Sequence, residues 1–188
     1  MEAFLVSTTV VAIGEIGDKT QLLALVLAAR FKRPLPIIAG IFAATLANHT
    51  LAGLVGEWIR HAVDADTLRW GLGLSFIAVA LWALKPDKMD EQASARGNYG
   101  VFLITLITFF VAEIGDKTQI ATVMLAAKFP SLLSVVGGTT LGMLIADVPA
   151  VMLGKASSAR IPFKAVRFAA AAIFAVLGIA TLIGADFV

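Results

Sequence analysis

The sequence predicts an all-α membrane protein with six transmembrane helices, built from two inverted three-helix repeats. Three observations carry that prediction. The 188-residue chain is 59% hydrophobic and 15% charged, where ordinary soluble domains are about 45–50% apolar and about 25% charged; its mean hydropathy is +0.91. The heptapeptide EIGDKTQ at 15–21 returns unchanged at 113–119. The basic residues fall very unevenly on the two sides that a six-helix path defines.

Several apolar runs exceed the roughly 18 residues that mark a spanning helix. Helices that are apolar all round show no useful period, so run length and punctuation place them. The segments are 3–29, 35–59, 68–84, 100–127, 131–154 and 163–184. They are separated by RFKRPLP, RHAVDADT, KPDKMDEQASARGNYG, KFPS and KASSARIP. Pro34, Pro130 and Pro162 sit where helices commonly begin. The first segment, MEAFLVSTTVV onward, has no basic n-region and carries an acid at its start, so it reads as a retained helix rather than a signal peptide.

The second half repeats the first at an offset of 98, with eleven of seventeen positions identical between 15–31 and 113–129. Weaker matches follow at Gly40/Gly138, Leu46/Leu144, Gly56/Gly154, Arg69/Arg167, Phe76/Phe174 and Leu84/Leu182. The chain divides into a first repeat over 1–84, a cytoplasmic linker over 85–99 and a second repeat over 100–188. Three helices per repeat is an odd number, so the two copies enter the bilayer from opposite sides. One side carries Arg30, Lys32, Arg33, Lys85, Lys88, Arg96, Lys155, Arg160, Lys164 and Arg167; the other has Arg60, Arg69 and Lys128. Ten basic residues against three make the first side cytoplasmic and place both termini outside. Inverted repeats are a common plan of secondary transporters, with the substrate site near the midplane where the copies meet.

Other classes drop out. With no cysteine, disulfides, thiolate metal ligands and thiol redox chemistry are excluded. A net charge of +2 is too small to point to nucleic acid, and the partner expected at this stage is the lipid bilayer. No resident cofactor is called for.

The repeated motif puts Glu, Asp and Lys at bilayer depth, where each ionised side chain costs roughly 2.5–3.5 kcal/mol on insertion scales. Such groups are kept there when they pair, line a wet cavity or bind something. On a continuous helix, Glu15, Asp18 and Lys19 would share one side, and Gly17 and Gly115 would let another backbone approach. Antiparallel crossing of the first and fourth helices would gather Glu15, Asp18, Glu113 and Asp116. Four carboxylates and two lysines sum to −2 if all are ionised, a charge neutralised by one divalent cation or by two protons. A site satisfied alternately by either is what a cation/proton antiporter requires. The side-chain oxygens of Thr20, Gln21, Thr118 and Gln119 add neutral ligands, and an all-oxygen site suits Mg, Ca or Mn. Crowding four acids favours proton exchange near neutral pH. The competing view is that Glu15–Lys19 and Glu113–Lys117 are ion pairs that only tie helices together.

His49 and Asp147 occupy equivalent places in the second and fifth segments. A lone intramembrane Asp marks an ion or proton path, and Pro149 frees a carbonyl one turn back. His49, beside Asn48, either relays protons or hydrogen-bonds a neighbouring helix. Lys19, Thr20, Gln21, Lys117, Thr118, Gln119, Asp147 and His49 therefore form a supporting or proton-path set around the four metal candidates.

Two copies of E-x-G-D-K-T, each opening a three-helix repeat, resemble the GDT1 family (uncharacterised protein family 0016). Glu15, Gly17, Asp18, Lys19 and Thr20 match the motif in the first copy, as do Glu113, Gly115, Asp116, Lys117 and Thr118 in the second. GMLIADVPAVMLG also looks like the fifth helix of bacterial members. The resemblance implies transport of Mn2+ or Ca2+ in exchange for protons, with the motif acids as the cation site. The short chain, without the extra leader segment of the eukaryotic proteins, points to a bacterial manganese exporter of the inner membrane. A Ca2+/H+ antiporter and a passive divalent-cation channel are the alternatives. An intramembrane aspartyl protease is disfavoured, because its dyad needs two acids sharing one proton and each motif here carries a lysine.

Overall fold

The computed structural model describes residues 1–85, 100–153 and 163–184. Among these lie eight α-helices: α1 (Glu2–Glu15), α2 (Lys19–Phe31), α3 (Pro34–Ala62), α4 (Ala65–Ala83), α5 (Val101–Glu113), α6 (Lys117–Lys128), α7 (Leu132–Leu153) and α8 (Phe163–Leu182). The linker expected at 85–99, apart from Lys85, and the connection carrying Lys155, Arg160 and Pro162 lie outside the described residues. Among the described residues, two helices are long and apolar enough to cross a membrane by length and composition, Pro34–Ala62 and Leu132–Met152.

Four of the six expected segments correspond to single helices. The third begins at Ala65 rather than 68, because Asp64 accepts a hydrogen bond from the Thr67 amide at 3.0 Å and caps the first turn. Pro34 stands at the start of α3, where its missing N–H costs nothing. The first and fourth segments are not continuous helices, a point that the sequence alone does not decide. Each is a pair of helices, broken at Ile16–Asp18 and at Ile114–Asp116.

The packing pairs each repeat with the other. α1 lies along α7, and in the same way α5 lies along α3, while α4 packs on α8. The first two contacts are close for one reason in both copies. A methyl group at Gly40 would meet the Phe102 carbonyl oxygen at 2.8 Å, and one at its repeat mate Gly138 would meet the Phe4 carbonyl oxygen at 2.5 Å. Glycine at these positions lets the backbones touch. α4 and α8 run antiparallel: Gly73 abuts Gly178 and Leu182, whereas Ala83 clusters with Ala170 and Ala171. Phe76 and Phe174, themselves repeat mates, stack between these helices with centroids 6.5 Å apart and planes 25° from parallel. Both rings are fully buried, so the two halves meet around an aromatic pair.

Candidate cation site at the paired helix breaks

Each break is made by its own motif. Gly17 has φ +84° and Gly115 +75°, a conformation that residues with a Cβ enter only at a cost. A methyl group at Gly115 would meet nothing within 4 Å. Backbone conformation, rather than the close helix approach expected from the sequence, is therefore what requires glycine there. The glutamine of the motif then braces the turn: the Gly17 amide donates to Gln21 Oε1 at 2.8 Å, and the Gly115 amide to Gln119 Oε1 at 2.7 Å. Asp18 and Asp116 become the N-caps of α2 and α6. Glu15 and Glu113 end α1 and α5. Helix N-termini favour the two aspartates, while the carbonyl ends of α1 and α5 present negative dipoles to a cation.

The breaks bring the motifs together in the interior. Glu15, Asp18, Glu113 and Asp116 are all buried. One carboxylate oxygen each from Glu15, Asp18 and Asp116 lies within 4.8 Å of the other two. Oxygens on opposite sides of an ion bound at 2.3–2.6 Å stand about 4.6–5.2 Å apart, so one ion can touch all three. Glu113 joins through the second copy: Thr118 Oγ1 lies 3.3 Å from both Glu113 Oε2 and Asp116 Oδ2.

The lysines depart from the expected pattern. A continuous helix would set Lys19 beside Glu15 and Lys117 beside Glu113. The break instead turns each lysine toward the opposite copy. Lys19 Nζ pairs with Asp116 Oδ1 at 3.0 Å, and Lys117 Nζ with Asp18 Oδ1 at 2.8 Å. The two ion pairs exchange with each other under the repeat symmetry and join the copies across the centre. A small cleft lined by Gly14, Ile16, Gly17, Asp18, Lys117, Ala83 and Ala170 reaches the second pair.

The supporting residues divide into engaged and unengaged groups. Gln21 and Gln119 commit their oxygens to the glycine amides, and their nitrogens donate to the Ala146 carbonyl at 3.0 Å and to Asn48 Oδ1 at 3.0 Å. They are braces more than neutral ligands. Thr20 Oγ1, by contrast, is buried without a hydrogen-bond partner among the described residues, as are both oxygens of Glu15. Asp147 and His49 are fully buried, and their side-chain polar atoms likewise have no hydrogen-bond partner among the described residues. Asp147 lies close enough to Glu15 and Glu113 for their charges to interact. α7 continues through Pro149. Asn48, which lies outside the motif and the expected site, donates to the Phe110 carbonyl at 2.8 Å and accepts from the Gln119 amide nitrogen. A lone amide inside an apolar run was the available signal.

Known proteins match along the whole chain. A family model described as divalent cation/proton antiporter GDT1 matches residues 3–91 and 101–187, in two parts that divide where the repeat divides. A Vibrio cholerae protein named "Putative manganese exporter" is 49% identical over 182 residues, 96% of this chain and 90% of that one. A GDT1-like protein of Synechocystis is 31% identical over 194 residues, 93% of each chain. GDT1-like protein 5 of Arabidopsis thaliana is 26% identical over 221 residues, covering 97% of this chain and 96% of its own. No solved structure matches. These matches define the class as a membrane antiporter of divalent cations and protons, a transporter and not an enzyme. The chain belongs to the GDT1 family.

Proposed function

We propose that the protein exports Mn2+ from the bacterial cytoplasm in exchange for protons, at one site shared by its two repeats. Glu15, Asp18 and Asp116 are the first ligands, with Glu113 completing the acidic set and Thr20 Oγ1 as a neutral oxygen. The observation that carries the reading is the convergence of acids from both motifs within 4.8 Å in the protein interior. Manganese as the cargo rests on the 49% identical relative's name and on an all-oxygen donor set.

The architecture proposed is six spans in two inverted repeats, with α1–α2 and α5–α6 each forming one broken span. The antiparallel run of α4 against its mate α8 supports it. Both termini then lie outside the cytoplasm, and residues 1–84 and 100–188 are the two repeats. Discontinuous helices meeting at the midplane are how such carriers expose polar groups without exposing unsatisfied backbone to lipid.

Charge arithmetic sets the exchange. Asp147 adds a fifth carboxyl to the four motif acids, and two lysines oppose them, giving −3 if all are ionised. One divalent ion with one retained proton brings the group to neutrality, and so do three protons. The cycle therefore exchanges two protons per ion and is electroneutral. In proteoliposomes, an outward-directed or inward-directed pH gradient should drive uphill Mn2+ movement with opposite signs, and a potassium diffusion potential should leave the rate unchanged. Mn2+ flux that only follows its own gradient, without moving protons, would establish a channel instead.

A further inference from the structure

The aspartates proposed to bind the ion already hold a cation each. Lys117 Nζ sits 2.8 Å from Asp18 Oδ1 and Lys19 Nζ sits 3.0 Å from Asp116 Oδ1. Both carboxylates also belong to the cluster that one ion can span. An ammonium and a divalent ion a few ångströms apart repel strongly where water is scarce, so full occupancy of both places is unfavourable. We propose that Lys117 and Lys19 are tethered cations that occupy Asp18 and Asp116 between transport events, and that Mn2+ binds by displacing an ammonium from its carboxylate. The proposal rests on the shared cation site described above.

Three features fit this role beyond simple charge neutralisation. Each lysine reaches the aspartate of the opposite copy, so the tie between the repeats is the same contact that the ion must replace. Ion binding then exchanges one cross-copy link for another, which couples occupancy to the relative position of the halves. Lysine also suits a reversible occupant: its ammonium is a point charge on a flexible stem, whereas arginine would grip a carboxylate through two parallel bonds. Finally, the two pairs differ in access. The Lys117 side chain is 6% exposed and that of Lys19 is 28% exposed. Removing Lys117 should therefore have the larger effect, because its charge is the less screened.

The test is Mn2+ binding to the purified full chain, stripped with chelator and measured by titration calorimetry at fixed pH, together with turnover in proteoliposomes. Lys117→Gln should bind Mn2+ about tenfold more tightly or better while exporting it more slowly, since nothing returns to expel the ion. Lys19→Gln should do the same to a smaller extent. Lys117→Arg, which keeps the charge and strengthens the grip, should bind more weakly than the original. A residue that merely props the fold would give weaker binding in both Gln variants. Unchanged or weakened affinity in a Lys117→Gln protein that still melts cooperatively overturns the proposal; if that variant does not fold, Lys117→Arg binding as tightly as the original overturns it. Absence of Mn2+ binding by the unmodified protein would instead remove the underlying site.

Discussion

The two motifs share the heptapeptide EIGDKTQ but are not in the same state. In the first copy both Glu15 oxygens and Thr20 Oγ1 have no hydrogen-bond partner among the described residues. In the second, Thr118 reaches Glu113 and Asp116, and Asp116 Oδ2 also accepts from the Thr118 amide at 3.4 Å. Lys117 is deeply buried where Lys19 is partly open. The neighbours differ too, since the position beside one break is Asp147 and its mate is His49. Identical local sequence therefore leaves both oxygens of Glu15 unengaged in one motif, while in the other Thr118 holds one oxygen of Glu113 and leaves Oε1 open. A pair of repeats held in one asymmetric arrangement has this property.

The sharpest way to break the comparison is to neutralise one glutamate at a time. Glu15→Gln should weaken Mn2+ binding by about tenfold more than Glu113→Gln, because only the Glu113 carboxylate has a protein donor to replace the ion. Equal losses, read by the same calorimetric titration, would mean that the two motifs are interchangeable at equilibrium. A comparable effect comes from the break itself. Gly115→Ala should cost about 1–2 kcal/mol through its positive φ alone, as open space surrounds the added methyl; a melting temperature equal to the original protein's would show that the break is not held by glycine. The smallest contrast concerns the hydroxyls. Thr118→Val should lower stability by about 1 kcal/mol through its lost hydrogen bonds, while Thr20→Val, which loses none, should leave the melting temperature within error and reduce affinity instead.

Much of this was legible from the residues. The repeat offset, the placement of all four acids and the starts of α3 and α8 follow from runs, prolines and the doubled motif. The breaks were not, because Gly17 between apolar stretches reads equally as a packing contact and as a positive-φ turn. Nothing local separates the two. The lysine partners were hidden for a related reason. Spacing of four suggested Glu15–Lys19, and only the break of the helix at Gly17 sends Lys19 to Asp116, 97 positions away in sequence. Gln21 and Gln119 offered oxygens that looked like ligands, but a bent backbone leaves an amide that needs those oxygens first. The inequality between copies could not be read from a motif that is the same in both.

One shared pocket, rather than two separate ones, is the claim on which the rest depends. Counting Mn2+ ions bound per chain, in the unmodified protein and in Asp18→Asn and Asp116→Asn, tests it directly. A single ion that is lost in each variant is the expected result, since the carboxylates of both copies hold it together. Two ions in the unmodified protein, or one ion surviving in each variant, would show that each motif binds on its own.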